Sequence, residues 1–187
     1  NGYSDEWVVE AEKRGLPNIK SMIEAASTLT SEKAVALFEK FGIYTKAELE
    51  SREEIIYETY AKTINIEALT MIDMAGKQII PAVVKYTKTL ADTANAIKAA
   101  GGDASVQTEL LADVSTKLAA MQKELNKLVA DEKEASAMED VKAQAFFYKD
   151  TIKATMDELR KPADELEMIV DKDVWPIPTY GELMFEV

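Results

Sequence analysis

No cysteine and no histidine occur among the 187 residues, and glycine and proline are scarce, at seven and five. Lack of cysteine removes disulfides, thiolate nucleophiles and zinc–sulfur centres, and is compatible with a reducing, cytoplasmic setting. Lack of histidine removes the commonest general base and metal ligand near neutral pH. The Glu-x-x-His repeat of di-iron helical bundles is therefore excluded. Few glycines and prolines disfavour a β protein with many turns and suit long helices. No apolar run reaches the roughly 20 residues of a membrane span, and no basic-then-apolar segment of the signal-peptide kind opens the chain. It opens on Asn1-Gly2-Tyr3 without Met and reads as a fragment.

The net charge of −12 is unevenly placed. Residues 1–45 carry five basic and seven acidic side chains, residues 46–100 seven and eight, and residues 101–187 ten and nineteen. The acidity belongs to the C-terminal half, which would repel nucleic acid and anionic membranes. It reads as a solvated face that keeps the protein soluble. With 47% hydrophobic residues, the chain can still bury a substantial core.

The longest ordered stretch expected is one helix from Thr45 to Ala100. Thr45 and Glu48 form a capping box at its start, and Gly101-Gly102 ends it. Leu69, Ile72, Gly76, Ile79, Val83, Tyr86 and Leu90 recur at steps of three and four, giving one apolar seam. A second helix, residues 104–136, starts at Asp103 or Ser105 and carries Leu111, Val114, Leu118, Met121, Leu125 and Leu128. A third, residues 138–171, carries Met138, Val141, Ala145, Tyr148, Ile152, Met156, Leu159, Ala163 and Leu166. Pro81 and Pro162 should each bend or interrupt the helix that holds them.

The fold class expected is all-α: a long antiparallel three-helix bundle over 45–171, with helices at about 46–100, 104–136 and 138–171. A lobe of short helices over 1–44 precedes it. That lobe has a helix ending at Gly15, another over about Pro17–Ala26, and a third capped by Thr30 or Ser31 and stopped by Gly42. Trp7, Phe38, Phe41 and Tyr44 should pack it. Over 172–187 the chain should be an extended tail, because Pro176 and Pro178 prevent a helix there. Glu182–Val187 could close it as a short strand or one helical turn.

Chemistry is sparse. Gly101-Gly102 lacks the Lys-Ser/Thr of a phosphate loop, and no nucleophile elbow occurs. The carboxylate pairs Glu53-Glu54, Asp131-Glu132, Glu139-Asp140, Asp157-Glu158 and Asp164-Glu165 occupy neighbouring helix positions about 100° apart, so they do not converge on a ligand. Asp73 pairs with Lys77 four residues on, as an exposed helix pair or as a buried one. No catalytic, cofactor-binding or metal-ligating residue is assigned.

Three stretches, NGYSDEWVVEAEKRGLPNIKS, TINIEALTMIDMAGKQIIPAVVKY and DELEMIVDKDVWPIPTYGELMFEV, resemble the C-terminal region of type III glutamine synthetases, the large bacterial form. The resemblance runs from Asn1 to Val187 and is weakest over 104–136. It implies a parent ligase that joins ammonia to glutamate with ATP and a divalent metal such as Mg, through a γ-glutamyl phosphate. It also implies large ring-shaped oligomers, typically dodecamers, in nitrogen metabolism. The family's metal, ATP and substrate residues lie upstream and map to no position here. The implied role is a structural or assembly domain whose partners are the catalytic domain and neighbouring subunits. The alternative is a free-standing helical module that recruits a protein through Ile55, Ile56, Tyr60 and Ile64.

Overall fold

The computed structural model describes Gly2 and residues 4–185; Asn1, Tyr3, Glu186 and Val187, at the ends of the expected lobe and tail, lie outside the described residues. Among the described residues every regular element is helical. The elements are α1 (Asp5–Lys13), α2 (Met22–Ala26), α3 (Glu32–Lys40), α4 (Lys46–Met74), α5 (Ile80–Ala99), α6 (Ser105–Ser136), α7 (Val141–Phe147), α8 (Lys153–Glu167) and α9 (Tyr180–Phe185). Wide π-helical turns over Ala75–Ile79 and Tyr148–Ile152 join α4 to α5 and α7 to α8. The expected all-α class and the long helix are both present.

Helix ends follow local side-chain chemistry. The Thr45 amide donates to Glu48 Oε2 at 2.8 Å, and the Glu48 amide donates back to Thr45 Oγ1 at 3.3 Å, which closes the expected capping box. Ser31, not Thr30, caps α3 by accepting from the Ala34 amide. α2 begins at Met22 rather than near Pro17, where Ser21 accepts from the Glu24 amide. At the end of α5, Gly101 adopts φ +79 and its amide donates to Lys98 O, while the Gly102 amide donates to Ile97 O at 2.9 Å. This left-handed exit satisfies the last carbonyls of the helix.

The chain forms two compact units, and α4 and α7 each contribute to both. The first consists of the residues up to Ala61 with Asp140–Phe146. Its core is Ile23 and Ala26 of α2, Tyr57 of α4 and Ala145 of α7, with Ile56, Tyr60, Val141 and Phe146 packed against them. Phe38 and Tyr44 meet at 5.6 Å between ring centroids, and the Arg52 guanidinium lies 4.3 Å from the Tyr44 centroid. Phe41 departs from expectation: it is 65% exposed. It is the C-cap residue of α3, where the chain leaves the helix, and so lies off the inward stripe of Ala34, Val35 and Phe38.

The second unit consists of Lys62–Glu139 and the residues from Phe147 onward. Within it α6 packs against α5 and against α8. Val83, Leu90, Val114, Met121, Leu125, Leu128, Ile152, Leu159 and Leu166 are all buried, as the seams require. Burying each such side chain contributes about 1.5–3 kcal/mol.

Two seams shift by one residue. Ala75 and Ala68 are buried where Gly76 and Leu69 were expected, and Leu69 is 46% exposed. The π turn is the cause: it holds one residue more than an α turn, so everything upstream is rotated by about one position. In α8 Thr155 and Pro162 are buried, while Met156 and Ala163 are half-buried.

The prolines behave differently from each other. Pro81 follows the first π turn, which accommodates the clash between its ring and the preceding turn. Pro162 is carried inside α8 without interrupting it, and its ring is buried. The third helix stops at Glu167 rather than Asp171. There Asp171 starts a turn: its carbonyl accepts from the Val174 and Trp175 amides at 2.9 and 3.0 Å. The tail is irregular through Pro176 and Pro178, as expected, but then closes as α9, because Thr179 and Glu182 make a second capping box.

Candidate functional site

Charged and polar side chains converge most closely in the first unit, on one stripe of α4. Leu49, Glu53, Tyr57 and Ala61 recur every four residues and are all buried, so a carboxylate stands inside an apolar stripe. Tyr57 Oη donates to Glu53 Oε1 at 2.5 Å. Ser27 Oγ, just past α2, lies 2.8 Å from the same Tyr57 oxygen, and Lys142 Nζ of α7 stands 3.4 Å from Glu53 Oε1. Lys142 Nζ also lies 5.5 Å from the centre of the Tyr57 ring.

Electrostatics follow from this packing. Burial raises the Glu53 pKa, but hydrogen bonds from Thr30 and Tyr57 and the Lys142 charge outweigh it, so the carboxyl sits below its ordinary value. Burial, with the hydrogen bond to Glu53, pushes the Tyr57 hydroxyl up. The carboxylate is held in its charged form and its partners are already engaged. The cluster ties α2, α4 and α7 together. Glu53, expected on a solvated face with Glu54, is corrected by this geometry. The signal was its spacing from Leu49 and Tyr57.

The remaining carboxylate pairs are spent separately. Asp131 accepts from Thr155 Oγ1 at 2.7 Å, Glu132 from Ser136 Oγ at 2.6 Å, and Asp140 from the Ala143 amide at 2.7 Å. Glu158 pairs with Lys161, Asp164 with Arg160, and Glu165 with Lys117 at 3.9 Å. Asp73 pairs with Lys77 on an exposed surface. Among the described residues no three Asp or Glu side chains are grouped to hold a metal ion.

A cavity of about 150 Å³ in the second unit is lined by Ile79, Ala163, Glu167, Trp175, Ile177 and Leu183. Trp175 is 8% exposed and anchors the tail. Beyond it, Glu182 accepts from the Thr179 amide at 2.9 Å and pairs with Lys172 at 2.9 Å. The backbone hydrogen bond, then the Lys172 ammonium and the Thr179 hydroxyl, lower its pKa to about 2. The Thr-x-x-Glu spacing at 179–182 carried this signal in the sequence, as it did at 45–48.

The stripe considered for a free-standing module is largely covered. Ile64 is buried, Ile56 and Tyr60 pack on the core of the first unit, and Ile55 alone of the four is exposed. No helix among the described residues is long and apolar enough to cross a membrane.

Known proteins complete the picture. The family described as "Glutamine synthetase C-terminal domain" matches residues 1–98. A glutamine synthetase of Butyrivibrio fibrisolvens is 40% identical over 189 aligned residues, covering 100% of this chain and 27% of the relative. The type-3 glutamine synthetase of Dictyostelium discoideum is 33% identical over 99% of this chain and 26% of its own length. A glutamine synthetase of Bacteroides fragilis (strain YCH46) is 30% identical with the same coverage. The chain spans about a quarter of the length of these relatives. It belongs to the glutamine synthetase C-terminal domain family.

Proposed function

We propose that this chain is a structural domain of a cytoplasmic glutamine synthetase whose catalysis resides elsewhere in the parent protein. The parent joins ammonia to glutamate at the expense of ATP, with Mg and ATP held by upstream domains. The observation that carries this reading is the coverage: relatives named for the enzyme align along essentially all of this chain, yet about three quarters of each lies outside the match. Several carboxylates support the same reading: Asp140 caps a helix, Asp164 pairs on a helix surface and Glu53 forms a buried brace. The partners are the catalytic domain and neighbouring subunits of the parent oligomer.

The test is ATP-dependent glutamine formation by the 187-residue chain beside the full-length parent. The parent is expected to form glutamine and the chain none. Clear activity of the chain overturns the reading.

A further inference from the structure

We propose that the cavity under the C-terminal tail is a binding site for a small neutral molecule, apolar in body and carrying one hydrogen-bond acceptor. Its walls come from three parts of the second unit: Ile79 at the end of the first π turn, Ala163 and Glu167 of α8, and Trp175, Ile177 and Leu183 of the tail. Trp175 is buried, and its indole Nε1 is a buried donor with no hydrogen-bond partner among the described residues. Leaving a buried donor unsatisfied is costly. An acceptor brought in by a ligand would recover that cost, and only an acceptor can, because the indole N–H donates and never accepts.

Size and charge narrow the ligand. The volume, about 150 Å³, is enough for one six-membered ring, since an apolar cavity of about that size binds benzene. Asp164 and Glu167 bring carboxylates to the wall, which disfavours an anion. Both already interact with other groups of the chain, Asp164 with Arg160, so neither calls for a cation.

The space is kept open by its own walls. Alanine at 163 leaves room that a larger residue would fill. Pro176 and Pro178 fix the backbone on either side of Ile177. The Thr179 and Glu182 capping box, with the Lys172 ion pair, sets the helix that follows. The tail is thus placed by contacts of its own and does not settle into the void. A molecule seated there would touch the π turn, α8 and the tail at once, and so fasten the tail to the helices.

Cyclohexanone and methylenecyclohexane have nearly the same shape, and only the first carries an oxygen acceptor. Binding of each to the full-length parent and its variants is titrated by saturation-transfer-difference NMR, which reads contact and not glutamine formation. Cyclohexanone is expected to bind saturably and about fivefold or more tighter than methylenecyclohexane, the effect of one hydrogen bond to a donor otherwise left unpaired. A163L, which fills the cavity, should abolish binding of both probes. I177F, a filling change outside any helix, serves if A163L does not fold. W175F should bring the two probes to within about twofold of each other, because it removes the donor and keeps an aromatic ring. Absence of saturable binding, equal affinity of the two probes for the unaltered protein, undiminished binding to the filled variant, or a preference for cyclohexanone that survives in W175F would each overturn the assignment.

Discussion

Tyr57 shows how much one hydroxyl can hold. It donates to a buried carboxylate and meets Ser27 on its other side. Tyr57→Phe keeps the ring in the core but leaves Glu53 without its shortest partner. It should destabilise the protein by about 1–2 kcal/mol, seen as a lower urea midpoint. An unchanged midpoint would show that water replaces the hydroxyl without loss. Glu182 makes a prediction in pH. Its folded pKa of about 2 lies below the ordinary 4.5, so the stability it contributes is complete above about pH 4.5 and is lost as the pH falls toward 2. Amide protection in α9 should fade over that window, and Glu182→Gln should abolish the pH dependence. Protection that is flat across the window in the unaltered protein would contradict the cap. These residues were unequally legible. Thr45 with Glu48 was read from spacing, and the same spacing at Thr179 and Glu182 was passed over because the nearby prolines argued for an extended tail. Glu53 was hidden by its neighbour Glu54, since a pair of adjacent carboxylates looks like solvent-facing surface whichever of the two turns inward.

Among the elements, the long helical run from Lys46 to Ala99 was read correctly in extent but not in phase. A period of three and four residues carries a seam through a regular helix, yet it does not announce a turn that holds one extra residue. Pro81 marked the place of an irregularity without giving its kind. The shift makes a sharp contrast testable. Ala68→Asp should place an unpaired charge at a fully buried position and cost about 3 kcal/mol or more, whereas Leu69→Asp should stay within about 0.5 kcal/mol. Comparable losses for both in chemical denaturation would mean that the seam runs in the regular phase after all. The exit of α5 gives another test. A Cβ at Gly102 would stand 2.9 Å from Ile97 Cγ2, and Gly101 holds φ +79. Gly101→Ala should cost about 1 kcal/mol through strain alone, and Gly102→Ala should also destabilise because Ile97 must move.

For the molecule as a whole, fold class and family were both legible, the first from apolar spacing and the second from extended resemblance along the chain. What spacing could not convey was how the helices share two compact units, because α4 and α7 each serve both and neither changes its periodicity at the crossing. The second unit has a tail anchored by Trp175, and the first a buried carboxylate, Glu53, that braces its helices. The central claim is that this domain supplies stability and not chemistry. Steady-state kinetics of the full-length parent carrying Glu53→Gln, Asp131→Asn and Glu182→Gln together, measured well below its melting temperature, test this most directly. The account predicts kcat and the KM values for ATP and glutamate within about twofold of the unaltered enzyme, alongside a lower melting temperature. A loss of kcat of a hundredfold or more, with the helical spectrum and the oligomeric state unchanged, would contradict it.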